Sequence, residues 1–170
     1  MDVLNKTLHE VTTELILDDK VSKLLYYNDV MDEDIYSKPS LRNPIKTLLN
    51  QKVFKRKKIK KIQTEADVGM CVSMSLYEPY TDYYKTSDTI MHLQIDIACI
   101  CHDDCIDTLN GNRCLAIIEQ ACKCIHQSKY IKSVGKIKLC QAFPIYDVPD
   151  DYEGYAIRLD VDIINYYKRD

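Results

Sequence analysis

From Leu4 to Leu25 the apolar positions Leu4, Leu8, Val11, Leu15 and Ile16 recur every three or four residues, the spacing of one helical face. Asp18 or Asp19 then stands where a second short helix through Val21, Leu24 and Leu25 needs its cap. Tyr26-Tyr27-Asn28-Asp29 ends this helical opening, and an acidic, Pro-bearing loop follows through Asp32, Glu33, Asp34 and Pro39. Asn43 before Pro44 predicts another helix start over residues 45–51, because Asn caps and Pro is tolerated at the first helical position.

The period then changes from helical to alternating. Met70, Val72, Met74 and Leu76 alternate with Cys71, Ser73 and Ser75, which predicts a half-buried strand. Met91, Leu93, Ile95, Ile97, Cys99 and Cys101 form one face of a longer strand, opposite His92, Gln94, Asp96, Ala98 and Ile100. The two read as a hairpin with a long, tyrosine-rich tip. Asn110-Gly111-Asn112 breaks the chain, and Leu115, Ile118, Cys122 and Ile125, with Ala121, predict the buried stripe of an amphipathic helix. Ile137, Leu139 and Phe143 face one way in a third strand. The clearest alternation comes last: Tyr155, Ile157, Leu159, Val161 and Ile163 oppose Arg158, Asp160 and Asp162.

These elements predict an α+β fold in two layers: a largely antiparallel four-stranded sheet (β-β-α-β-β) packed on helices, with N-terminal helices preceding it. The expected organisation is a single domain over residues 1–170, with a helical segment over 1–51, a basic loop or arm over 52–65 and a sheet-and-helix core over 66–170. A chain of 170 residues, 46% hydrophobic and 29% charged with four Gly and five Pro, is globular in composition and of a length to bury one core. No apolar run reaches the 18 or so residues that span a bilayer. Glu10 and Glu14 interrupt the N-terminal apolar pattern, unlike a secretory signal. The eight Cys are therefore expected to be reduced thiols in a cytosol.

Charge is unevenly spread. Residues 1–51 carry 6 Lys/Arg against 9 Asp/Glu, residues 52–61 carry 7 against none, and residues 62–170 carry 10 against 17. The basic run Lys52, Lys55, Arg56, Lys57, Lys58, Lys60 and Lys61 needs solvent or an anionic partner, either an acidic patch on a neighbouring subunit or phosphate. Thirteen Tyr against two Phe and no Trp, with Tyr80, Tyr83 and Tyr84 in the hairpin tip, favour protein interfaces.

Catalytic signals are absent. Cys99, Cys101, His102 and Cys105 offer four soft ligands in seven residues, but Cys99 and Cys101 continue the buried face of a strand, so core packing is preferred over metal. Cys105 with His102 or His126 lacks the loop of an oxyanion hole. The Asp pairs 18–19, 103–104 and 150–151 sit where Asp caps or is solvated. Neither G-x-G-x-x-G nor a Walker loop occurs. The expectation is no enzyme and no cofactor.

The run from Ile95 to Asp104, the helix after Arg113, the short strand near Ser133-Val134-Gly135 and the closing Tyr152 to Val161 resemble the tail-terminator or tail-completion proteins of tailed bacteriophages. Residues 11–29, VTTELILDDKVSKLLYYND, resemble their N-terminal helix. The likeness implies a structural subunit of the virion neck or tail, assembled in the host cytoplasm. It implies a hexameric or larger homo-oligomeric ring that stops the tail tube and presents a surface to the head connector, with DNA in the channel as a further contact and no membrane. The expected interface residues are Lys55, Arg56, Lys57, Lys58, Lys60, Lys61, Tyr80, Tyr83, Tyr84, Asp147, Asp150, Asp151 and Glu153, the basic arm docking on the acidic loop of the next subunit. Connector adaptors and stoppers share this pattern, and a nucleic-acid-binding protein using the basic run is the other reading.

Overall fold

Helical periodicity and a capping aspartate set the first layer. In the computed structural model, which describes residues 3–28, 34–55, 67–77, 91–109, 111–127 and 137–163, α1 spans Val3–Leu17 and α2 spans Asp19–Tyr26. The Asp18 carboxylate accepts the Val21 N–H at 2.9 Å, which satisfies a donor that the new helix would otherwise leave open. Val11, Leu15, Ile16, Val21, Leu24 and Leu25 are buried together. Lys23 is buried with them only because its ammonium donates to the Tyr36 carbonyl at 3.1 Å and pairs with Asp19 at 2.8 Å. After a 3-10 turn at Ile35–Ser37, the short helix α3 (Pro44–Leu48) starts as the sequence predicts, with the Asn43 side chain accepting the Lys46 N–H.

The main sheet has five strands, one more than the alternation predicts. β1 (Val53–Phe54), β2 (Val68–Tyr77), β3 (Met91–His102), β6 (Ile137–Pro144) and β7 (Tyr152–Ile163) lie in the order β1-β2-β3-β7-β6. β4 (Asp107–Thr108) and β5 (Gly111–Asn112) form a separate small hairpin before α4 (Arg113–Gln127). All pairs are antiparallel except β1 with β2, which makes the sheet mixed. The added strand comes from the opening of the basic run, which the sequence pattern presents as a loop or arm from residue 52. Val53 and Phe54 are both buried, on opposite faces, and the Lys52 carbonyl accepts the Met70 N–H at 2.7 Å. Two apolar residues between lysines are too short a run for a period to show.

The inner face of the sheet carries Met70, Val72, Leu93, Ile95, Ile97, Cys99, Cys101, Ile157, Leu159 and Val161, all buried in one cluster with α1, α2 and α4. The outer face is polar at one end, where Arg158 Nε donates to Asp96 at 2.9 Å across the β3–β7 ladder. At the other end a second cluster forms around Phe54, Cys71 and Ile100, with Ile145, Val148 and Tyr152 packed on it. The acidic segment after β6 is thus laid over the outer face.

Two phase assignments from the sequence differ. The buried stripe of α4 is Cys114, Ile117, Ile118, Ala121 and Ile125; Leu115 is 46% exposed and Cys122 is only half-buried. Apolar residues cover about half the circumference of this helix, a face wide enough that periodicity alone leaves its rotation open by about one position. In β6, Ile137 and Leu139 pair with the inward Val161 and Leu159, but an irregularity between Leu139 and Gln141 puts Phe143 opposite Ala156 on the outer face. One inserted residue reverses every later side chain. Phe143 accordingly lies under the Arg158 guanidinium, 5.8 Å from it.

Candidate functional site

Strand alternation and one helix start bring three thiols together. Cys99 and Cys101 are two apart on β3 and so share the inner face. Gly111, at φ 96°, takes the left-handed backbone turn into α4 that a side chain would strain, and Asn112 Oδ1 then accepts the Leu115 N–H at 3.0 Å. Cys114, in the first turn, therefore turns inward. Its Sγ lies 3.0 Å from that of Cys101 and 3.9 Å from that of Cys99, and all three sulfurs fall within 4.8 Å of one another. The three residues are fully buried.

Their acidities diverge. Burial pushes the Cys99 thiol well up, and the hydrogen bond to Cys114 does the same to Cys101. Hydrogen bonds from Cys101 and then Cys99 hold Cys114 below its usual value.

Beside it Arg113 is 0% exposed, an unusual place for a guanidinium. Nε donates to the Leu24 carbonyl at 2.7 Å, Nη1 to the Cys105 carbonyl at 3.2 Å, and Nη2 to the Tyr27 carbonyl. It thereby closes the C-terminal end of α2, where free carbonyls and the helix dipole favour a cation. Among the described residues no carboxylate pairs with it. Glu153 closes the other side: Asn112 Nδ2 donates to both its carboxylate oxygens, at 3.1 and 3.2 Å, and its carbonyl lies 3.5 Å from Cys114 Sγ.

The sequence-predicted residues distribute differently. Cys99 and Cys101 do meet, but the thiol that joins them is Cys114. His102 caps the 3-10 turn Asp103–Cys105 through the Asp104 N–H and stacks edge-on against Tyr152. The Cys105 thiol donates to the carbonyls of Asp67 and His102, and burial pushes it up to about 11. Lys55 lies 2.7 Å from His9 Nδ1. Arg56, Lys57, Lys58, Lys60, Lys61, Tyr80, Tyr83 and Tyr84 lie outside the described residues. Asp147, Asp150 and Asp151 are exposed, and the Asp151 carbonyl accepts the Asp103 N–H at 2.9 Å. The sequence places Cys114 on the next element without joining it to Cys99 and Cys101, and it gives Arg113 no role; the signal was Asn112, a helix cap that fixes where the first turn begins.

The sheet edges are a second feature. Because the Met70 N–H reaches β1, antiparallel alternation aims the backbone groups of Val72, Met74 and Leu76 to the same side, beyond the end of β1. Among the described residues no strand pairs there, nor along the far side of β6.

Comparison with known proteins adds one finding. The model of a family described as YomW matches residues 18–161. No curated protein matches the chain.

Proposed function

Because the chain belongs to the YomW family, whose name derives from a phage, we propose that it is a structural protein of a phage neck or tail, a tail terminator whose ring caps the tail tube and joins it to the head connector. The observation that carries this reading is the pair of unlike edges left unpaired among the described residues, the upper end of β2 on one side of the sheet and β6 on the other. A ring requires a heterologous contact, in which one surface of each subunit meets a different surface of the next and the rotation closes. Two open edges at opposite ends supply such a pair, since unpaired N–H and C=O groups of one strand accept another strand directly.

The charged segments take a supporting role. Phe54, at the root of the basic run, shares a cluster with Ile145 and Val148, so the acidic segment adjoins that root within one chain. The exposed residues Asp147, Asp150 and Asp151 then offer an acidic surface to the neighbouring subunit or to the tube. Exposed Tyr146 stands in the same segment at 89% exposure, the amphipathic kind of side chain that interfaces use.

The test is native mass and negative-stain imaging of the purified chain at moderate salt, alone and with tail tubes. Closed rings of several 19.8 kDa subunits, free or seated on tube ends, support the reading. A monomer that binds no tube and leaves tube length uncontrolled overturns it.

A further inference from the structure

We infer that Cys99, Cys101 and Cys114 form a buried structural site for a thiophilic divalent cation of the zinc class, with Arg113 as the built-in counter-charge. The spacing of the sulfurs fits. Zn–S bonds of about 2.3 Å in tetrahedral array place sulfurs about 3.8 Å apart. The Cys114–Cys99 separation is 3.9 Å, and all three lie within 4.8 Å. The Cys114–Cys101 edge, at 3.0 Å, opens by less than about 1 Å to admit the ion.

Charge is the second, independent observation. A fully buried guanidinium whose hydrogen-bond partners are neutral carbonyls is costly, because among the described residues no carboxylate offsets its desolvation. A divalent ion held by three thiolates carries one net negative charge. Each thiol gives up its proton to solvent as its sulfur binds, so three protons leave and the complex with the adjacent Arg113 is neutral. The Glu153 carbonyl, 3.5 Å from Cys114 Sγ, is a neutral fourth donor that keeps this balance.

Such a site would be structural. It is closed by burial, and it pins the first turn of α4 to the central strand β3 at the point where Arg113 pins the same turn to α2. Cys105 stays outside it, its thiol committed to two carbonyls.

Titration of the reduced, metal-stripped full chain with Co(II) tests the site, read by the thiolate-to-cobalt absorption and by displacement with Zn(II). One equivalent of Co(II) with three-thiolate intensity is expected, together with a rise in melting temperature. Cys101→Ser and Cys114→Ser should weaken uptake roughly tenfold or more, and Cys105→Ser should leave it unchanged. Should the serine variants fail to fold, the wild-type spectrum alone decides, since its intensity counts the thiolates. No thiolate band in the wild type, equal loss in Cys105→Ser, or a Cys101–Cys114 disulfide in freshly purified protein would overturn the inference.

Discussion

Arg113 Nε donates at 2.7 Å to the carbonyl of Leu24, a residue 89 positions earlier in the chain. One side chain thus joins the first turn of α4 to the last turn of α2, with the carbonyls of Tyr27 and Cys105 as its other partners. Replacing it by Met leaves three buried carbonyls without a charged donor. A loss of about 3–5 kcal/mol in urea unfolding is expected. Arg113→Lys keeps the charge but not the planar fork that reaches three carbonyls, so its loss should be smaller than that of Met.

At Gly154 space decides, where Gly111 needs only its backbone angle. An added Cβ would lie 3.0 Å from Ile100 Cγ2 and 3.2 Å from Ile145 Cβ, and the Gly154 carbonyl already accepts the Ile145 N–H at 2.8 Å. Gly154→Ala should cost about 1–3 kcal/mol by overpacking. A double-mutant cycle with Ile100→Ala should be less than additive, because the truncated side chain makes the room the new methyl needs.

Burial raises Cys105 to about 11 and Cys124 to about 12, against 9.0 for a free thiol. Above pH 9 the unfolded chain releases these protons while the folded chain keeps them, so the unfolded state binds fewer and stability falls as pH rises. The contribution is complete below pH 9 and disappears between about pH 9 and pH 12. Denaturant midpoints measured across that interval should fall less steeply for a Cys105→Ala/Cys124→Ala variant than for the wild type.

Ser75 is exposed on β2 beside Met74, whose backbone faces the open edge. A lysine there is the device by which natural sheets discourage edge pairing. Ser75→Lys should leave the melting temperature within about 1 °C, as an exposed substitution away from the core, and abolish rings in sedimentation. Leu17→Lys, on the exposed side of α1, should leave assembly intact.

Much of this molecule was legible in its sequence because the signals were local. Asp18, Asn43 and Pro44 mark helix starts through their own capping chemistry, and the alternation of Tyr155 to Val161 follows from a strand with one buried face. What escaped depended on partners distant in sequence. Val53 and Phe54 are a strand only because β2 lies alongside, and their flanking lysines mask them. The rotation of α4 is settled by which side β3 approaches, so Cys114 rather than Leu115 reaches the thiols. The reversal at Phe143 comes from an inserted residue that no hydrophobic period announces. Arg113 carries no sequence mark of burial at all.

The strand order has a consequence for the time course of synthesis. β7, the last of the described strands to be made, lies between β3 and β6, and its partners on β3 run from His102↔Tyr152 to Met91↔Ile163. While the chain is still emerging from the ribosome, β3 therefore has one bare edge of unpaired backbone N–H and C=O groups, and its pairing with β7 is complete only when residue 163 is free. Pairings so distant in sequence form slowly. The interval before they form is the one in which two nascent chains are most exposed to mutual aggregation, and in which a chaperone has most to do.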